Sequence, residues 1–237
     1  MRFWLSGIGV NLLLLALSAN LVAAATPFKS TQIERGSVRN AIAQQRQSTP
    51  PPLTNSQTVT GIGVEFLLPS RFKAGSPANK ELQAIFTEDA KQSPITASII
   101  SIFDLSSEMQ ARAVAIDNSK RDNLEILLVN TPPVPPSLSL ETMQANFAKA
   151  SASSEFAPFD TKIVTIGSRR LLQIQGNLNL NGSQAKVFMG FLKEGDKTFQ
   201  LTYVYGTQNT QQAQPVFEQI VRTFKVMATP DPATPSK

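Results

Sequence analysis

LLQIQGNLNLNGSQAKVFMGFLKEGDKTFQLTYVY, residues 171–205, holds the pattern that decides the fold. Leu172, Ile174, Leu178 and Leu180 alternate with Gln173, Gln175, Asn177 and Asn179. A period of two is that of a strand with one apolar face, because successive side chains point to opposite sides. Asn181-Gly182 follows, the dipeptide of tight two-residue hairpins. Lys186 to Leu192 reads as the returning strand, and Glu194-Gly195-Asp196 turns the chain again. Phe199, Leu201, Tyr203 and Tyr205 then share one face, opposite Thr198, Gln200 and Thr202. The product is an antiparallel meander.

On the C-terminal side, Val216, Phe217, Ile220, Val221 and Phe224 repeat at helical spacing, which predicts a helix from about Gln211 to Phe224. Pro215 falls near its beginning, and a proline is best placed in the first turn, so the helix is expected to start there. On the N-terminal side, Ile62, Val64 and Phe66 alternate up to Pro69, which has no N–H for a ladder. Leu82, Ile85 and Phe86 share a helical face between Asn79 and Lys91, closed by Ser93-Pro94. Residues 96–104 read as a strand, as do Leu124 to Val129, whereas Met109 to Ile116 fits helix or strand. Pro132, Pro133, Pro135 and Pro136 form an extended bridge. Ser139 is an N-cap candidate, with Glu141 in the first turn and Leu140, Met143 and Phe147 facing inward. The fold class is therefore α+β: a central antiparallel β-sheet covered by two or three amphipathic helices.

Around this body, the 237-residue chain divides by composition. Arg2, an uncharged run from Phe3 to Phe28 centred on Leu12 to Leu17, and Ala23-Ala24-Ala25 have the layout of a secretory signal peptide. Residues 1–25 are expected to be removed at about Ala25; the alternative is an uncleaved membrane anchor, since the run is long enough to span a bilayer. Residues 26–57 are polar and Pro-rich, with Lys29, Arg35, Arg39 and Arg46 against Glu34, and read as a disordered basic arm. The domain then occupies 58–226, and 227–237 reads as a disordered tail. The arm carries most of the +5 net charge, because 58–226 holds 16 basic and 15 acidic residues. A nucleic-acid surface would need a basic face on the folded domain, so no nucleic acid is expected as a partner.

This order of elements resembles the PsbP/Mog1-like superfamily, which includes PsbP-like extrinsic photosystem II proteins, Mog1 and exported DcrB-like proteins. The resemblance is carried by Gly63-Val64-Glu65-Phe66-Leu67-Leu68-Pro69, by the stretch from Ile163 to Leu192, by Lys197 to Val204, and by Pro215 to Phe224. It implies a central antiparallel sheet sandwiched by helices and a role in docking or assembly rather than catalysis. Where PsbP-like openings often carry a Trp, Ser70-Arg71-Phe72 stands here, and there is no His for the metal sites discussed for PsbP. No metal or cofactor residue is carried over, and no cofactor is expected.

Composition narrows the chemistry. With no Cys and no His, thiol nucleophiles, disulfides, thiolate or imidazole metal sites and a Ser-His-Asp triad are excluded. Ser70-x-x-Lys73 has the spacing with which a lysine activates a serine, but the same spacing recurs at Ser183 and Lys186, and Lys197-Thr198 is followed by Phe199 rather than Gly. Asp104 with Glu108, and Asp117 with Asp122, are the carboxylate pairs available for hydrolysis; beside Lys120 and Arg121 the second reads as a solvated turn. Gly61-x-Gly63 lacks a third glycine and a helix. The proline spacing at 132–136 matches a polyproline ligand but reads as a rigid bridge. Arg169-Arg170, after Gly167-Ser168, decorates a hairpin turn or meets an acidic partner.

The expected function is thus a non-enzymatic accessory or assembly protein, exported to the periplasm or thylakoid lumen. It would bind a protein partner, a membrane complex, at the outer side of the membrane; photosystem II accessory is one version. Arg35, Arg39, Arg46, Arg169 and Arg170 are the candidate partner-binding residues. The chain is expected to be peripheral and monomeric. The alternatives are a periplasmic small-molecule or lipid carrier, and a hydrolase using carboxylates or Ser70 and Lys73.

Overall fold

A computed structural model describes residues 53, 55–97, 111–117, 119, 124–152, 159–180 and 183–227. Ten strands and three helices follow in order: β1 (Ser56–Thr60), β2 (Val64–Pro69), β3 (Lys73–Gly75), α1 (Lys80–Ala90), β4 (Ala111–Asp117), β5 (Glu125–Asn130), α2 (Leu140–Ala152), β6 (Asp160–Ile166), β7 (Arg169–Leu180), β8 (Ser183–Glu194), β9 (Lys197–Gly206), α3 (Thr210–Thr223) and β10 (Lys225–Val226). The large sheet has the order β3-β4-β5-β9-β8-β7-β6, and a small sheet has the order β1-β2-β10. Every pairing is antiparallel.

The large sheet is buried on both faces. On one side, the small sheet and α3 enclose Phe66, Leu201, Tyr203, Phe217 and Phe224. On the other, α1, α2 and the proline bridge cover Ile126, Leu172, Met189 and Phe191. The capping expected for the helices is present: Asn79 Oδ1 accepts from the N–H groups of Glu81 and Leu82 at 2.9 and 3.1 Å. Ser139 Oγ likewise accepts from the Thr142 N–H at 3.1 Å. Burying the third strand on both sides means that Thr198, Gln200 and Thr202, the polar side of the alternation, are also inside. Gln200 satisfies its amide on Thr202 Oγ1 at 3.1 Å.

Several expectations change. Residues 94–97 are a helical turn, not the beginning of a strand. Ser93 Oγ accepts from the Thr96 N–H at 3.2 Å, so Ser93-Pro94 opens this turn as N-cap and first helical residue. Residues 98–104 lie outside the described residues. Residues 111–117 are strand, which settles the ambiguous segment from 111 on; 109 and 110 lie outside the described residues. Helix α3 begins at Thr210, ahead of Pro215, which lies inside the helix; its single missing N–H is tolerated early in a helix otherwise anchored by a buried apolar face. Ile62 sits exposed in the turn before β2 rather than in the strand. The body also starts before 58, because β1 begins at Ser56 and Leu53 packs on the core. The leader, most of the arm and all of the tail but Met227 lie outside the described residues.

Candidate functional site

Gly167-Ser168 joins β6 to β7, with Ile166 opposite Arg169. Gly167 has φ +64°, the left-handed value that glycine adopts freely at the first position of such a turn. The tight turn places two consecutive arginines at the beginning of β7, and alternation sends them to opposite faces of the sheet. Arg169 turns to the α3 side. Its Nη1 donates to the carbonyls of Val221 and Arg222 at 3.2 and 3.0 Å, and its Nε to Glu194 at 2.8 Å. The final carbonyls of α3 have no partner within the helix, and a guanidinium at that end satisfies them and complements the helix dipole. Arg169 is therefore built into the fold.

Arg170 turns to the α2 side. Its guanidinium pairs with the Glu141 carboxylate, and both side chains are more than half exposed, at 58% and 56%. The Glu141 carboxyl is held below its ordinary value, first by a backbone hydrogen bond at the helix start and then by Arg170. Lys193, on β8, donates to the carbonyls of Pro136 and Leu138, the latter at 3.0 Å, and so ties the proline bridge to the sheet. Between these groups lies an open groove of about 580 Å³, walled by Ser139, Glu141, Arg170 and Lys193. Of the five partner-binding candidates, Arg169 and Arg170 both line this groove, but the Arg169 guanidinium is engaged by α3 and Glu194 and only Arg170 is paired at the surface. Arg35, Arg39 and Arg46 lie outside the described residues.

A second polar cluster went unread in the sequence. Glu125 opens β5 and is 2% exposed, and Asp117, at the end of β4 and paired with it, is 5% exposed. Arg71 bridges them, with Nε to Asp117 at 2.8 Å and Nη2 to Glu125 at 2.7 Å. The Tyr203 hydroxyl donates to Glu125 Oε2, and Asn209 Nδ2 donates to Oε1 at 2.9 Å. Burial acts to lower the Arg71 guanidinium, but the charge and hydrogen bond of Glu125 outweigh it and hold Arg71 above its ordinary value. Burial, then Glu125, pushes the Tyr203 hydroxyl well above the usual tyrosine value; burial takes Tyr205 up to about 12. Asp117 is thus not on a solvated turn: Arg71 and the Ser119 N–H, at 3.0 Å, hold it inside. Asp104, Glu108 and Asp122 lie outside the described residues.

No hydrogen bond joins Ser70 to Lys73 among the described residues. Ser70 is an exposed turn residue whose N–H donates to the Asn55 carbonyl at 2.8 Å, and Lys73 is exposed at the beginning of β3. Lys186 instead donates to Thr210 Oγ1 at 3.1 Å. The Phe199, Leu201, Tyr203 and Tyr205 face is core beneath α3. No group of three or more acidic side chains able to hold a metal ion occurs among the described residues.

No protein-family model matches the chain, and no curated protein matches it. Among solved structures it is similar to the cyanobacterial PsbP, CyanoP, from Synechocystis, at 11% identity and a TM-score of 0.42, over 75% of this chain and 95% of that one. It is also similar to LpqN, involved in cell envelope biogenesis of Mycobacterium tuberculosis, at 11% identity and a TM-score of 0.39, over 70% of this chain and 83% of that one. A Bacteroides thetaiotaomicron protein matches at 8% identity and a TM-score of 0.41, over 70% of this chain but only 46% of its own length.

Proposed function

We propose that the chain is an exported, non-enzymatic accessory protein that docks an acidic segment of a protein partner at the outer side of a membrane. The observation that carries this reading is the groove at the β6–β7 turn. There one guanidinium, Arg170, is more than half exposed and held by a carboxylate that is itself exposed. Such a pair contributes little to stability, because water and salt screen it. It therefore gives up little when a partner carboxylate replaces Glu141. The planar guanidinium suits that exchange, since it takes a carboxylate through two parallel hydrogen bonds. Export rests on the signal-like leader at 1–25. Leu140 and Leu192 also line this groove, but Glu141, Arg170, Lys193 and Glu194 around them favour a charged segment over a lipid.

Crosslinking with mass spectrometry on membranes from the native cell tests the reading. The wild type, Arg170→Glu and a chain lacking 26–50 are compared; the deletion stops short of Leu53, which packs on the core. One dominant partner complex is expected. Arg170→Glu should weaken it about tenfold at low salt and less at high salt, with no change in thermal midpoint. Equal crosslinking by wild type and Arg170→Glu would remove the groove from the function.

A further inference from the structure

We propose that β6 is the interface of a two-fold homodimer, in which the edge of one copy pairs antiparallel with the edge of a second copy about Ile163. Strand β6 ends the large sheet, with β7 on one side and, among the described residues, no strand on the other. Its backbone polarity follows from the turn. A two-residue turn closes on a hydrogen-bonded pair, here Ile166 and Arg169. Alternation then directs the N–H and C=O groups of Asp160, Lys162, Val164 and Ile166 to β7, and those of Thr161, Ile163 and Thr165 outward. One contact reports this independently: Gln144 Nε2, from α2, donates to the Thr161 carbonyl at 3.0 Å from the outer side.

The outward set is symmetric about Ile163. With the two-fold axis there, Ile163 meets its own copy and Thr161 meets Thr165 in both directions. All outward backbone groups of the three residues are then paired, and the carbonyl of Thr161 has a second lone pair for Gln144. Side chains match as well: Ile163 packs on Ile163, Thr161 on Thr165, and Lys162 lies opposite Val164. An axis at Lys162 would set two lysines directly opposite, which is unfavourable. An axis at Val164 would carry Thr161 past the strand end to Gly167 and lose a pair of bonds.

The layer above accepts the same axis. Helix α2 packs over β6 and β7. Strands about 4.8 Å apart would place α2 and its copy about 10 Å apart, the spacing of packed helices. Next to Gln144 on α2, Ala145 and Ala148 are exposed and small enough for that approach, with Glu141 on the same stripe one turn earlier, paired to Arg170. The partner fitted by this edge is therefore a second copy of the chain, in place of the monomer expected from the sequence.

Sedimentation equilibrium of the purified full chain, with two variants, tests the dimer. Thr165→Pro removes an outward donor while leaving the ladder to β7 intact, as edge prolines do. It should weaken dimerisation about thirtyfold, since one bond is lost in each direction. Ile163→Cys introduces a single thiol into a chain that has none. A hydrogen-bonded pair sets the two Cα atoms about 5.5 Å apart, within disulfide reach, so mild oxidation should give a covalent dimer. A monomer through the millimolar range would overturn the proposal. So would an association that Thr165→Pro leaves unchanged and Ile163→Cys does not trap, the pattern expected of contact through the apolar leader. The dimer is independent of the docking role: a monomer that still crosslinks through Arg170 removes this inference alone.

Discussion

Arg71 is the side chain on which the other buried charges depend. Asp117 and Glu125 have left water almost completely, and one guanidinium, itself about one-third exposed, answers both. A buried carboxylate is costly unless paired and hydrogen-bonded. Glu125 has Tyr203 and Asn209 besides, whereas Asp117 has the Ser119 N–H. Truncating Arg71 strips the countercharge from both at once. Arg71→Ala should therefore cost about 3 kcal/mol, the lower end for breaking a buried pair, because water reaches the vacated position. Arg71→Lys should fall between, since an ammonium lacks the planar fork that reaches two carboxylates together. Urea denaturation measures both. A loss below about 1 kcal/mol for Arg71→Ala would mean that water screens the two acids already. Neither acid was legible from the sequence. An Asp near Lys120 and Arg121 has the composition of a solvated turn, and the arginine that withdraws it lies 46 residues earlier.

Among the elements, α3 and the sheet meet at one gap made by a glycine. A Cβ at Gly190, on β8, would lie 2.8 Å from Phe217 Cζ and 2.9 Å from Leu171 Cδ1. Both neighbours are fully buried, and Phe217 stacks on Phe188 with ring centroids 5.4 Å apart. Neither has free space to retreat into. Gly190→Ala should thus destabilise by about 1–3 kcal/mol through overpacking, and adding Phe217→Leu should restore part of the loss. Chemical denaturation of the single and double variants decides; a double variant no better than the sum of its parts would place the strain elsewhere. The elements were legible where the pattern was long and regular. The hairpin from 169 to 194 and the apolar face of α3 announced themselves by period. Legibility failed where one residue serves two elements. Ser93-Pro94 closes α1 and opens the next turn, so reading it only as a stop led to a strand at 96–104. It failed again at Arg169, whose carbonyl partners lie 52 and 53 residues away. Two adjacent arginines look alike in sequence; only the tertiary fold makes one a helix clasp and leaves the other at the surface.

At the scale of the molecule, the missing residue types shape the response to pH. With no His and no Cys, no side chain has an ordinary value between the carboxylates and tyrosine. Stability should accordingly be nearly flat from about pH 6 to 9. The chain's two tyrosines, Tyr203 and Tyr205, both lie in the α3-side core of the large sheet and both have raised values, Tyr205 to about 12. Below about pH 10 both are neutral whether folded or unfolded, and their contribution is complete. Above it the unfolded chain releases these protons while the folded chain keeps them. Fewer protons are then bound in the unfolded state, and stability falls as pH rises. Both tyrosines therefore lower stability in the same direction as the pH rises above about 10. The molecule should therefore lose stability as the pH rises above about 10, with tyrosinate absorbance rising together with loss of the far-ultraviolet circular dichroism. Tyr205→Phe, which keeps the ring and removes the proton, should make that fall shallower. Tyrosinate appearing near pH 10 while the circular dichroism stays native would show that water reaches these hydroxyls, and that the sheet does not seal this core.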